Sequence, residues 1–251
     1  MKIASRPDQV IGSSSSNRMN LLAGRIELKA VIFDLDGVIL DSMPSHVAAW
    51  REVFGDAGLN LETGFFYRNE GMLDWPRLEA ALGDNLDPDF GPEDFQRLLE
   101  SQRRVYLDKY AGKVSVFESA EELLNRNADQ GRSLALVTSS PRQVLSADIF
   151  SWLEGHFDLI VTGDMVRRTK PYPDPYLQAL SGLGVEPESA LAVENAPAGI
   201  ESAQAAGICC LALTTTLSPS DLAAADMILR DHESLLTFLD GFPAPRRTGA
   251  D

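Results

Sequence analysis

Cysteine and basic charge are both scarce in this 251-residue chain. The only cysteines, Cys209 and Cys210, are neighbours on an apolar run and poorly placed to pair with each other. That excludes a disulfide-stapled scaffold and points to buried thiols in a reducing compartment. Lys and Arg total 22 against 37 Asp and Glu, a formal charge of −15. Such a surface repels phosphate backbones, so nucleic acid is excluded as a partner. A small phosphorylated substrate remains open, because it meets only local charge, which a bound metal can reverse. No apolar run approaches the roughly 18 residues that span a bilayer, so no membrane partner is expected. The first 25 residues lack the continuous apolar stretch of a secretory signal and carry Ser13-Ser14-Ser15-Ser16 instead. They read as a mobile tail or a processed leader. The expected protein is soluble and cytoplasmic, and its oligomeric state is not legible.

What is present is a sizeable apolar fraction, 44%, with an ordinary 24% of charged residues. Short apolar runs recur: Lys29 to Phe33, Ser133 to Val137, Asp158 to Val161, Leu191 to Val193, Ile208 to Leu213 and Met227 to Leu229. Helical patterns lie between them, as in Gln143 to Phe150, Pro175 to Leu183 and Ala198 to Ala206. Strands apolar throughout, alternating with helices, predict an α/β fold with a doubly wound, Rossmann-like parallel sheet whose sites lie at the strands' carboxyl ends. From about Ser45 to Gly112 the alternation stops and helical patterns dominate: Ser45 to Ala57, Trp75 to Leu82 and Pro92 to Tyr110. The expected organisation is a flexible tail over 1–27, a core over 28–43 and 113–240, a helical cap over 44–112, and a second flexible tail over 241–251.

Polar residues gather at the predicted strand ends. Asp34 and Asp36 follow the first strand, and their spacing points both carboxylates to one side. Two such groups repel unless a cation sits between them, and hard oxygen ligands suit Mg²⁺. The turn Asp34-Leu35-Asp36-Gly37 also suits a plain strand exit. Thr138-Ser139-Ser140 offers hydroxyls and backbone N–H groups to an anion, a role compatible with helix capping. Prolines hold Lys170 in the irregular segment Lys170-Pro171-Tyr172-Pro173. Glu194 and Asn195 end the fourth strand, where an acid and an amide complete an oxygen-only metal shell or cap the next helix.

In this order, Asp34-Leu35-Asp36-Gly37, Thr138-Ser139-Ser140, Lys170-Pro171 and Val193-Glu194-Asn195-Ala196-Pro197-Ala198-Gly199-Ile200 resemble the motifs of the haloacid-dehalogenase-like hydrolases. The resemblance covers roughly Leu28 to Leu239. The insert after the first motif resembles the subgroup that includes β-phosphoglucomutase and the phosphoglycolate and sugar-phosphate phosphatases. It implies a Mg²⁺-dependent phosphohydrolase in which Asp34 attacks phosphorus and forms an aspartyl-phosphate. It further implies that Asp36 serves as acid and then base, and that Lys170, Thr138 and Ser139 hold the phosphoryl group. Asp34, Asp36 through its carbonyl, Asn195 and, nearby or through water, Glu194 would hold the metal. Members that cleave carbon–halogen bonds lack an acid at the position of Asp36, which favours phosphoryl transfer. One departure is Asn195, where many relatives of this subgroup have aspartate, so the shell loses a negative charge.

The cap residues bear on substrate. His46 resembles a histidine that faces the catalytic acid in related enzymes, and it equally suits packing at the hinge. Trp50 reads as cap core. Glu70 and Gly71 match the cap loop in which mutases carry basic residues, so Glu70 would repel a second phosphate. Alternatively Glu70 joins the metal and offsets Asn195, which favours small substrates including pyrophosphate. The expected substrate is a sugar phosphate, phosphoglycolate or pyrophosphate. A β-phosphoglucomutase-like isomerase, with Arg103 or Arg104 supplying cap charge, and a non-catalytic phosphate-binding protein are the alternatives.

Overall fold

A computed structural model describes residues 26–245 together with Arg18, Asn20, Leu21, Leu22 and Gly24. It contains six strands: β1 Ala30–Phe33, β2 Ser133–Val137, β3 Leu159–Val161, β4 Ala190–Glu194, β5 Cys209–Leu213 and β6 Met227–Leu229. They pair in parallel in the order β3-β2-β1-β4-β5-β6. The order reverses between β1 and β4, and the crevice at their carboxyl ends is where such sheets bind ligands.

The two faces of the sheet differ in bulk. Val31, Phe33, Leu134, Leu136, Leu191 and Val193 face one side, packed with residues of α5 (Ala120–Asp129), α6 (Ala147–His156) and α9 (His232–Asp240). Ala30, Ala135, Ala190, Ala192 and Ala212 face the other, against α7 (Asp174–Leu183) and α8 (Pro197–Ala205). Small residues let those helices approach closely and leave room for the fully buried ring of Tyr176 on α7.

Between β1 and α5 the chain builds the helical cap: α1 (Met43–Asp56), α2 (Thr63–Arg68), α3 (Trp75–Leu82) and α4 (Pro92–Val105). These helices enclose an apolar cluster of their own around Val47, Phe54, Phe66, Leu78 and Phe95. The chain enters and leaves this segment side by side. Asp41 N donates to Ser115 O (2.9 Å), and Phe117 N donates to Ile39 O (3.0 Å).

The helix expected over Gln143 to Phe150 is broken. Arg142–Val144 forms a single 3₁₀ turn and Leu145 is extended at φ −88°, ψ 129°. The helix starts only at Ala147, where the Ser146 hydroxyl accepts from Ile149 N (3.3 Å). Likewise the helix expected to run to Tyr110 gives way at Tyr106 to a five-residue π turn, Tyr106–Tyr110.

Most of the tail expected over 1–27, and 246–251 of the second, lie outside the described residues. Within them Leu21 and Phe242 are buried in the core. Arg18 donates to Gln204 O (3.0 Å), and the buried Arg132 donates to Leu239 O and Phe242 O, satisfying carbonyls at the end of α9. Among the described residues no helix is long and apolar enough to cross a membrane. Both cysteines are buried and free. Burial pushes the Cys209 thiol up to about 12 and raises Cys210 well above its usual range. Neither thiol is expected to react with iodoacetamide at pH 8 until the chain unfolds; labelling of the native protein, read by intact mass, would contradict this packing.

Candidate active site

Strand ends and cap meet around one cavity of about 290 Å³. The core lines it with Asp34, Asp36, Thr138, Ser139, Lys170, Glu194 and Asn195. The cap adds His46, Glu70 and Gly71, so every expected site residue borders the same space.

β1 delivers Asp34, whose backbone N–H still pairs with Val193 O (2.9 Å) at the carboxyl ends of the two central strands. The chain then turns sharply: Gly37 adopts φ +85°, a conformation that favours glycine, and its N–H donates to Leu40 O (2.8 Å). A Cβ on Gly37 would lie 2.1 Å from Asn195 Nδ2, so no larger residue fits without displacing that amide. The Asn195 side chain thus sits directly over the turn that presents Asp36.

Lys170 is the electrostatic centre of the site. Its ammonium donates to Asp34 Oδ1, to Glu194 Oε1 (2.6 Å) and to Val137 O (3.1 Å). The Tyr176 hydroxyl also donates to Glu194 Oε1 (2.6 Å), and Asn195 N donates to Oε2 (3.3 Å). Gly199 makes room for this carboxylate; a Cβ there would lie 2.0 Å from it. Glu194 is therefore oriented by Lys170 and Tyr176, and both of its oxygens already have protein partners.

Asp36 has a different environment. Ser42 Oγ donates to its Oδ1 (2.5 Å), Ser140 Oγ to Oδ2 (3.0 Å) and Thr138 Oγ1 to Oδ2 (3.4 Å). His46 Nε2 lies 3.4 Å from Oδ1, and its ring stacks on Tyr106 at 4.0 Å with planes 6° apart. His46 thus faces the acid and packs at the hinge at once. Burial alone would raise the Asp36 carboxyl, but His46, Ser42 and Ser140 outweigh it and hold the group at about 2. For Asp34 the balance runs the other way. Burial, with Glu194 and Asp36 nearby, raises it to about 8 against the pull of Lys170.

Glu70 reaches in from the loop after α2, and its Oε2 accepts from Asn195 Nδ2 (3.2 Å). Burial and the charges of Asp34, Asp36 and Glu194 raise its carboxyl well above the ordinary range. These carboxylates outnumber the single ammonium among them. Asn195 Oδ1 is buried with no hydrogen-bond partner. An excess of acids beside an orphaned oxygen fits a hard cation held by oxygen donors. Among the described residues no three His, Cys, Asp or Glu side chains form a metal-binding group, so such a site would depend on the Asn195 amide and backbone carbonyls as well.

The cap arginines differ in how they stand to the cavity. Arg68 pairs with Glu62, and Arg77 pairs with Asp74 (2.6 Å). Arg103 borders the cavity; Arg104 does not. Trp50 packs on Phe54 and Phe66 in the cap core and also forms part of the cavity wall. Ser139 Oγ is buried without a partner, close to Gly71 of the cap loop. Ser140 belongs to the expected anion-binding run but turns its hydroxyl to Asp36; Ser42, Tyr106, Tyr176 and Thr216 were not singled out as site residues from sequence. They carry no motif of their own and become visible only through their partners.

A family model for haloacid dehalogenase-like hydrolases matches residues 28–207. The chain belongs to the haloacid dehalogenase-like hydrolase family. Among its relatives is protein CbbY of Rhodobacter capsulatus, 34% identical over 234 residues, spanning 84% of this chain and 97% of CbbY. Another is the validoxylamine A 7'-phosphate phosphatase of Streptomyces hygroscopicus subsp. limoneus, 33% identical over 204 residues, 81% of this chain and 93% of that protein. The crystal structure of CbbY from Rhodobacter sphaeroides in complex with phosphate superposes with a TM-score of 0.67 at 25% identity, covering 85% of this chain and 99% of that one. This haloacid dehalogenase-like hydrolase therefore shares both the parallel sheet and the inserted helical cap of its relatives.

Proposed function

We propose that this hydrolase releases phosphate from a small phosphorylated metabolite carrying a carbon-based leaving group, with Asp34 as nucleophile and Mg²⁺ as cofactor. One observation carries the reading: the Asp34 carboxylate, pinned by Lys170 at the mouth of β1, faces the cavity beside a second, hydrogen-bonded carboxylate. The Asp34 oxygen attacks phosphorus, the bond to the leaving oxygen breaks, and an aspartyl-phosphate forms. Asp36 gives the leaving oxygen its proton and then takes one from the water that cleaves the intermediate. Although Asp36 sits at about 2 in the free protein, a doubly charged phosphoryl group entering beside it strengthens its hold on a proton. Thr138, Ser139 and the Lys170 ammonium hold the phosphoryl oxygens. Asp34, the Asp36 carbonyl and Asn195 would hold Mg²⁺, with Glu194 behind Lys170, and Glu70 set on the Asn195 amide. When bound, the cation offsets the carboxylates and the charge that develops on phosphorus.

The leaving group is bounded by the cavity. Met43, Trp50, Phe66, Leu73 and Leu99 give its cap side an apolar wall, with space for a sugar-sized group beyond the phosphoryl position. Glu70, in the loop where mutases carry basic residues, brings no positive charge to hold a second phosphate, which argues against a mutase. Pyrophosphate would leave the apolar wall uncovered. A screen of phosphate release with Mg²⁺ across sugar phosphates, phosphoglycolate, nucleotides and pyrophosphate tests this, with Asp34→Asn as blank. Release from sugar phosphates or phosphoglycolate is expected. Release confined to pyrophosphate would overturn the leaving-group assignment, and release from nothing would overturn the function.

A further inference from the structure

Asn195 raises a problem that an aspartate would not. The two oxygens of a carboxylate are equivalent toward a cation, whereas only one end of an amide can bind one. A chain with Asn at this position needs something that fixes which end faces inward.

Thr216 supplies that constraint from the core side, as Glu70 does from the cap. It lies on the loop after β5, behind Asn195 and outside the cavity lining. Its hydroxyl accepts from Asn195 Nδ2 (3.0 Å) and donates to the Asn195 backbone oxygen (3.4 Å). An amide turned by half a rotation would pull the Thr216 hydroxyl away from the Asn195 backbone oxygen to serve Oδ1 instead, and would set Oδ1 against the Glu70 carboxyl that now accepts from Nδ2 (3.2 Å). Thr215 anchors the same loop, its hydroxyl donating to Gly37 O (2.6 Å). Thr216 Cγ2 and Asn195 together fill the space where a Gly37 Cβ would project. Nδ2 is thus engaged and Oδ1 is left buried and unpartnered.

We propose that Thr216 is a positioning residue for the cation site, orienting the Asn195 amide so that Oδ1 serves as ligand. This rests on the reading of Asn195 as a cation ligand. The test titrates MgCl₂ into the full-length protein by calorimetry, without substrate, so that it is independent of turnover. Thr216→Val, which keeps the shape and loses the hydroxyl, is expected to weaken Mg²⁺ binding by about tenfold or more. Thr216→Ser is expected to restore it. In an Asn195→Asp background, Thr216→Val is expected to change nothing, because either carboxylate oxygen can face the cation. Equal losses in both backgrounds would mean a merely structural threonine and overturn the proposal, as would unchanged binding in Thr216→Val. Thr216→Ala repeats the comparison if the valine variant does not fold. A wild-type chain that binds no Mg²⁺ also overturns it. If Mg²⁺ binding behaves as expected while the phosphate-release screen is blank, the proposed function fails and Thr216 keeps its role.

Discussion

Asp34→Asn is expected to lower phosphate release by about four orders of magnitude or more, the scale seen when an attacking side chain is removed. The same substitution is expected to leave the fold as stable as before, or more so. The amide oxygen can still accept from Lys170, so the hydrogen bond made by Asp34 Oδ1 has a replacement. What disappears is a carboxyl that burial and its acidic neighbours raise to about 8. The sign of the pH effect follows from that shift. A carboxyl with a folded pKa above its unfolded one binds its proton better in the folded state, so its contribution is full at low pH and falls as pH rises toward 8. Denaturant melts in EDTA should therefore show wild-type stability dropping relative to Asp34→Asn between pH 5 and pH 8. Retained turnover would move the attacking role to another residue; a variant that loses stability across the whole range would mean that the carboxylate is structural.

Lys170→Met separates from it by failing on both counts. Lys170 is buried, 5% exposed, and its ammonium is shared by Asp34 and Glu194. Met matches its length and supplies no charge, so both carboxylates remain in the interior without their cation. Breaking a buried pair in this way costs about 3–5 kcal/mol. Phosphate release is expected to fall by about a thousandfold, as when a group that stabilises transition-state charge is removed. Adding Glu194→Gln to Lys170→Met should recover part of the stability and none of the activity. Urea unfolding without divalent cation, paired with the release assay, checks both statements. A Lys170→Met protein as stable as wild type would show that the ammonium is not needed to hold these acids.

These contrasting outcomes come from residues whose roles were legible to very different degrees. Asp34 and Asp36 stand out in the sequence because a strand that is apolar throughout ends on them, and Gly37 marks the turn. Lys170 carries no such mark. Only its order relative to the other strand ends distinguished it from a surface lysine. Its contacts are 136 residues away at Asp34 and 24 away at Glu194, distances no local periodicity can register. Tyr176 read only as part of a helix pattern, yet its hydroxyl helps to orient Glu194. The broken helix before Ala147 has a similar cause: its apolar spacing is helical, but the Ser146 cap decides where the helix begins.

By itself, then, the sequence determined the parallel α/β core, the inserted helical cap and the identity of the chemical groups, because strand burial and turn chemistry are local properties. Tertiary structure decided how those groups are paired. It set Glu70 on the amide of Asn195, gave Lys170 to Asp34 and Glu194 together, and put Thr216 behind Asn195. It also decided the opposite proton affinities of Asp34 and Asp36. Two carboxylates one residue apart look alike in the chain. One is buried among acids with a single ammonium, while the other is wrapped by hydroxyls and an imidazole, and only the folded environment separates them.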